Sequence, residues 1–311
     1  MPRKLPSWRN IAISEYDKFA QIQLIVADLD GTLVYHGKDD IYLKLANYIM
    51  SLRRHGVFFT VATGRTLTGA IKFLNSLHID KAIPVILYNG SLVIEHVNGV
   101  IKRNTTISSK SLRTIIKLSM LFETYVLAYY VYGPPLPLFN RTYETIHGWS
   151  NYFQPKRDFN GIEIEWSSSI DNILHESPTA ILVKTNGDMT VTEYLLNRFS
   201  DIQDISITKS GVSDNIEIKP VNSDKGIALN YVSEMTGIAK KYILAIGDND
   251  NDAEMIAYAG IGVAVGAASR KALSVSDYYC EYEATEGTIQ LLKTVKEAIR
   301  YFTSKDKKSD I

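Results

Sequence analysis

Two aspartates one residue apart close an apolar run in LIVADLDGTLV, residues 24–34: Asp28 and Asp30. Like charges that close raise each other's pKa and repel, so chance packing does not favour the arrangement and a positive partner is expected. Alternate residues of an extended strand share a face, so the two carboxyls can aim at one point. Other polar groups follow apolar runs or open helices in the same way. They are Thr63-Gly64-Arg65 after VFFTVA, Lys225 in NSDKG, and Asp248, Asn251 and Asp252 in GDNDND. Asp28, Asp30 and Asp248 make an oxygen-donor set with no His or Cys nearby in sequence, which suits a hard cation. Mg²⁺ fits best, because it is held by few carboxylates and keeps waters or a phosphate in its octahedral shell.

A carboxylate beside such a metal can also attack phosphorus and form an aspartyl phosphate. Phosphoryl transfer then needs donors on the phosphate oxygens. Thr63 offers a hydroxyl and a backbone N–H at an expected helix start, and Lys225 offers an ammonium. Each part alone has a bland reading: Asp30 as an N-cap, Lys225 as a solvated lysine, a lone Asp-x-Asp as surface. Their order, and their repeated placement at strand ends and helix starts, favours chemistry over chance.

These residues need elements to hold them. LIVADLD, VFFTVATG, PVILYNG and YILAIGD read as buried parallel strands, being apolar runs without clean alternation that end in polar or glycine-containing turns. IGVAVG adds another short strand. Residues 41–55 and 225–236 carry apolar residues at helical spacing, and strands alternating with helices predict an α/β fold with a doubly wound, mostly parallel sheet. Between the second and third groups of polar residues the pattern changes. SLVIEHVNGVIKRNTT is a hairpin signal around Asn98-Gly99. A helical stretch (108–123), a strand (YVLAYYVY), a long loop-rich region containing PPLP, and then TAILVKTN, VTEYLLNRFS, ISITK and NIEIK follow. This predicts an inserted α+β cap domain over 92–216, dividing a core of 1–91 and 217–311. Residues 1–21 are an N-terminal extension, read as a short packed arm, and the polar C-terminal tail frays.

The bulk numbers bound the partners. The 311 residues are 45% hydrophobic and 22% charged with formal net charge zero, which argues against nucleic acid, whose phosphates select a basic face. The expectation is a small-molecule phosphorylated substrate, no nucleic acid, no membrane, and a monomer or small homo-oligomer. The single cysteine, Cys280, cannot form an internal disulfide, and the N-terminus has no apolar h-region; both point to a cytoplasmic setting. The six histidines, His36, His55, His78, His96, His147 and His175, show no metal-ligand spacing. The tyrosines at 125, 129, 130 and 132 read first as sheet face or core.

DLDGT, TGR, the lysine of SDKG and GDNDND resemble, in order, the four motifs of the haloacid dehalogenase superfamily of phosphatases. The close first two motifs, the Tyr-Asn-Gly at 88–90 and the large insert resemble its Cof-type branch, over about residues 22–300. The resemblance implies a Rossmannoid core with an α+β cap between the second and third motifs. It implies Asp28 as nucleophile, with Asp30 as general acid, then base, its carbonyl also binding the metal. Thr63, Gly64, Lys225 and Asn251 would bind phosphate, and Asp248 would join Asp28 and Asp30 as a metal ligand. Thr32, Arg65 and Asp252 would support these groups. The tyrosine-rich stretch 125–153 matches no family signature. The leading function is a Mg²⁺-dependent phosphomonoesterase acting on a sugar phosphate or related metabolite. The alternatives are a phosphomutase, which TGR disfavours, a phosphatase of sucrose-phosphate or mannosylphosphoglycerate type, and a non-catalytic sugar-phosphate binding protein, which the full acidic set disfavours.

Overall fold

The structure is a computed structural model describing residues 5–8, 11–34, 40–133, 143–170, 176–210, 215–282 and 284–309. The PPLP stretch, His36 and His175 lie outside these residues. In chain order the first elements are α1 (Tyr16–Ala20), β1 (Leu24–Ala27), α2 (Asp40–Arg53), β2 (Phe58–Val61), α3 (Leu67–Ser76) and β3 (Val85–Leu87). Then come β4 (Leu92–Glu95), β5 (Val100–Asn104), α4 (Ser109–Ser119), β6 (Tyr125–Tyr132), β7 (Tyr143–Ser150), β8 (Ile164–Ser167), β9 (Ala180–Lys184), α5 (Met189–Phe199), β10 (Ile205–Ser210) and β11 (Asn215–Pro220). The chain ends with α6 (Lys225–Thr236), β12 (Ile243–Gly247), α7 (Ala253–Tyr258), β13 (Ile261–Val265), α8 (Arg270–Val275), β14 (Tyr278–Cys280) and α9 (Ala284–Ser309).

The chain divides into two compact units. One comprises Met1–Gly64, Ile71–Ile86 and Asp224–Ile311; the other comprises Arg65–Ala70 and Leu87–Ser223. In the first, five parallel strands run in the order β14-β13-β12-β1-β2. Every residue of β1, β12 and β13 is buried, as strands covered on both faces must be, and this is why they read as unbroken apolar runs. The chain leaves β1 for β2 on one side and returns at β12 on the other, so the strand order reverses between β1 and β12. In an open α/β sheet that is where a crevice forms outside the carboxyl ends.

One expectation is corrected here. PVILYNG does not extend this sheet: β3 is grouped with β4 and β5, and it meets the chain after β2 through a single parallel bridge, Ala62–Ile86. The short YYC strand, β14, closes the sheet where no strand was expected. The N-terminal arm packs: Ser7 bridges to Tyr279, and Trp8 is buried with its ring 5.2 Å from Phe19 and 5.8 Å from Tyr278. Among the described residues no helix is long and apolar enough to cross a membrane.

The second unit holds a six-stranded sheet in the order β10-β11-β9-β6-β7-β8, antiparallel except for the β7–β8 pair. Its core joins Val126, Ala128, Tyr130 and Trp149 of one sheet face to Leu112, Ile115 and Ile116 of α4 and Leu195 and Phe199 of α5. The loop-rich expectation after β6 is wrong over 143–150 and 164–167, which are strands. The β4–β5 hairpin turns over four residues, with Gly99 alone left-handed (φ 69°) rather than a two-residue Asn-Gly turn. The β6 tyrosines are engaged within this unit. Tyr130 is core, Tyr129 donates to Asp158 at 3.4 Å, Tyr125 meets the Trp166 ring edge-on, and Tyr132 stacks on Tyr143.

Candidate active site

The turn after β1 is set by its backbone. Asp28 still donates to Ile246 O at 3.0 Å, and then the Leu33 and Val34 N–H groups both return to Leu29 O. Gly31 takes φ 87° in this reversal, and a Cβ there would run into the Asp248 carboxylate, so the position needs glycine on two counts. Thr32 follows. Its hydroxyl donates to Asp248 Oδ1 at 2.7 Å while its carbonyl accepts from the Thr288 hydroxyl of α9 at 3.0 Å. The two strand ends are thereby tied together.

Lys225 is the first residue of α6, and the Asp224 carboxylate caps that helix by accepting from the Ile227 N–H at 2.7 Å. The fully buried ammonium donates to Asp28 Oδ1 at 2.6 Å and to Asp252 Oδ1 at 2.5 Å. The other oxygen of Asp252 accepts from the Asp248 and Asn249 N–H groups, each at 3.0 Å. Asp252 therefore holds Lys225 with one oxygen and the turn after β12 with the other. Gly247 lies so close that a Cβ would strike the Asp252 side chain. Carboxylate oxygens of Asp28, Asp248 and Asp252 lie within 4.8 Å of one another.

Three carboxylates face one ammonium, which leaves surplus negative charge in a nearly dry place. Burial, opposed by Lys225 and reinforced by Asp252 and Asp248, pushes the Asp28 carboxyl from its ordinary 3.8 up to about 8. Burial also raises Asp248, against the hydrogen bond from Thr32. For Lys225 burial works against the charge, but Asp252 and Asp28 outweigh it and the ammonium is held above its ordinary range. Carboxylate oxygens this close are a donor set that could hold a hard divalent cation.

The structure thus brings together Asp28, Thr32, Lys225, Asp248 and Asp252. Asp30 stands on the turn with its side chain exposed, outside the three-carboxylate group. Asn251 is half-buried within the single helical turn Asp250–Asp252. Thr63 is buried and Gly64 exposed. The expectation that Thr63 offers a backbone N–H at a helix start is corrected: that N–H donates to Ile86 O at 2.9 Å, and α3 begins only at Leu67. Arg65 falls in the other unit, where it donates to Gly69 O of α3. The cap Asp224 was overlooked, although an Asp directly before a helical run is a legible N-cap signal.

The family model for haloacid dehalogenase-like hydrolases matches residues 25–292. A 5-amino-6-(5-phospho-D-ribitylamino)uracil phosphatase of Bacillus subtilis (strain 168), YitU, is 26% identical over 257 residues, covering 78% of this chain and 86% of that protein. The phosphoglycolate phosphatase of Methanopyrus kandleri is 24% identical over 280 residues, 89% of this chain and 98% of its own. A haloacid dehalogenase-like hydrolase of known structure from Bacteroides thetaiotaomicron shares the fold, with a TM-score of 0.69 at 20% identity over 88% of this chain and 99% of that one. With the family match spanning both halves of the parallel sheet and everything between them, the chain belongs to the haloacid dehalogenase-like hydrolases and is an enzyme of their phosphatase class.

Proposed function

We propose that the protein is a Mg²⁺-dependent phosphomonoesterase of a small organic phosphate, with sugar phosphates as the preferred class, acting through an aspartyl phosphate on Asp28. The observation that carries this reading is the buried Lys225 ammonium shared by Asp28 and Asp252 beside Asp248. Such a charge is costly to bury without a task that needs it. The names of the relatives, phosphatases of a phosphoribityl compound and of phosphoglycolate, support a small phosphorylated metabolite.

In this reading Asp28 attacks phosphorus in line with the leaving oxygen, and Asp30, exposed on its turn, delivers the proton that the leaving alkoxide needs. Asp30 then takes a proton from the water that splits the aspartyl phosphate, returning Asp28 as a carboxylate. The Thr63 hydroxyl, the Gly64 backbone, Lys225 and Asn251 hold the phosphoryl oxygens, and Asp252 keeps Lys225 charged and aimed. The Asp28 and Asp248 carboxylates and the Asp30 carbonyl would hold Mg²⁺, which would offset the negative charge of Asp28 and the phosphate.

The test is a phosphate-release screen over a panel of sugar phosphates, polyol phosphates and phosphorylated acids with Mg²⁺ present. Inorganic phosphate should accumulate in step with substrate loss, without a bisphosphate activator. A product that keeps its phosphate at a new position would overturn the hydrolase reading.

A further inference from the structure

Four donors converge on Glu144 of β7. Its Oε1 accepts from the Leu67 N–H at 2.6 Å and the Tyr88 hydroxyl at 2.7 Å; its Oε2 accepts from the Thr68 N–H at 2.8 Å and the Thr68 hydroxyl at 2.6 Å. Leu67 and Thr68 open α3, and the next N–H, that of Gly69, is taken by the Thr66 hydroxyl at 2.9 Å. Glu144 and Thr66 between them satisfy the first three N–H groups of the helix, and the carboxylate meets the helix's positive end.

Tyr88 is fixed from both sides. Its N–H donates to Arg65 O at 3.1 Å while its hydroxyl reaches Glu144. The ring is buried, and burial followed by the Glu144 charge holds the phenol well above its ordinary range, so it remains a donor. Tyr88 and Asn89 sit at φ 50° and 52°, a conformation that side-chain-bearing residues keep only where their surroundings over-determine it. Strain of this kind clusters at functional sites. Here it belongs to the residue that bridges Arg65 to Glu144.

Arg65–Thr68 is the direct continuation of Thr63 and Gly64. One end of that turn is fixed where Thr63 donates to Ile86 O; the other is fixed by Tyr88 on Arg65 and by Glu144 on Leu67 and Thr68. We propose that Glu144 is a positioning residue for phosphoryl transfer: it pins and neutralises the start of α3 and so sets the Thr63–Arg65 turn. The proposal rests on the reading of Thr63 as a phosphate donor. A carboxylate that only capped a helix would change the melting temperature and leave the kinetics of the folded enzyme alone.

The experiment uses the full chain with p-nitrophenyl phosphate and Mg²⁺, inorganic phosphate as inhibitor, and added formate. Glu144→Ala should lower kcat/KM by about tenfold to a hundredfold, the scale of a misplaced contact in phosphoryl transfer, and weaken phosphate inhibition in parallel. Formate, a small carboxylate able to sit where the side chain was, should restore part of the loss in Glu144→Ala and none in the wild type. Glu144→Gln, which keeps one accepting oxygen, should lose less, and Tyr88→Phe less again. Wild-type kcat/KM and phosphate inhibition in a cooperatively melting Glu144→Ala would overturn the proposal. If that variant does not fold, wild-type kinetics in both Glu144→Gln and Tyr88→Phe do the same. An inactive wild type would instead defeat the phosphatase reading, and phosphate affinity by calorimetry would then decide the role of Glu144.

Discussion

Lys225 and Asp28 make opposite demands on one small volume. The ammonium stays charged because two carboxylates hold it, and Asp28 tends toward neutrality because it is buried and a shared ammonium offsets that only in part. Replacing Lys225 by methionine, of similar length, leaves Asp28 and Asp252 buried without their cation. A broken buried pair of this kind costs about 3–5 kcal/mol, so urea unfolding of metal-free Lys225→Met should show a loss of that order. Asp252→Asn placed in the same chain should return part of it, and a double variant no more stable than the single would refute the coupling. Asp28→Asn is the opposite case. It keeps the hydrogen bond from Lys225 and removes surplus charge, so the metal-free protein should be at least as stable as the wild type. Turnover should nevertheless vanish, because an amide neither attacks phosphorus nor holds a metal as a carboxylate does. Hydrolysis by purified Asp28→Asn well above background would remove Asp28 from the nucleophile's place.

At the scale of elements, the strands that carry these residues were legible, and so was one pairing between their ends, but most side-chain contacts were not. β1, β2, β12 and β13 stand out because strands buried on both faces are unbroken apolar runs ending in polar turns. Parallel neighbours then bring the residues after β1 and β12 close, which is why Asp28 and Asp248 could be paired from sequence. β7 was missed because YETIHGWS is half-exposed over much of its length and mixes Glu and His with apolar residues, and Glu144 was lost with it. The Lys225–Asp252 pair joins the start of one helix to the turn before another, and no periodicity announces it. The turn after β1 offers a test at this scale. Gly31→Ala must fit a Cβ at φ 87° against the Asp248 carboxylate, so the turn has to open. We expect a loss of about 1–3 kcal/mol, the usual cost of forcing extra atoms into a packed place, and a fall in Mg²⁺ affinity by calorimetry. Unchanged Mg²⁺ affinity would mean that Asp248 does not depend on the turn.

The molecule as a whole carries formal net charge zero, so global repulsion changes little near neutrality and a local imbalance can govern how stability varies with pH. An acid whose folded pKa lies above its unfolded value binds its proton more tightly in the native state. Its contribution is therefore complete below the unfolded pKa and is lost as pH rises through the folded one. For Asp28 those limits are 3.8 and about 8. Lys225, raised above its ordinary 10.5, contributes no slope across that window. Metal-free protein should therefore melt at a lower temperature at pH 8 than at pH 5.5, and Asp28→Asn should flatten the dependence. A metal that binds the ionised carboxylate competes with the proton and stabilises the native state by mass action. Mg²⁺ should accordingly raise the melting temperature more at pH 8 than at pH 5.5 in the wild type and lose that difference in Asp28→Asn. Scanning calorimetry of both proteins, with EDTA and with excess Mg²⁺, measures all four slopes. A wild-type melting temperature that rises with pH in EDTA, or the same slope in Asp28→Asn, would place the surplus charge of the metal-free protein somewhere other than Asp28.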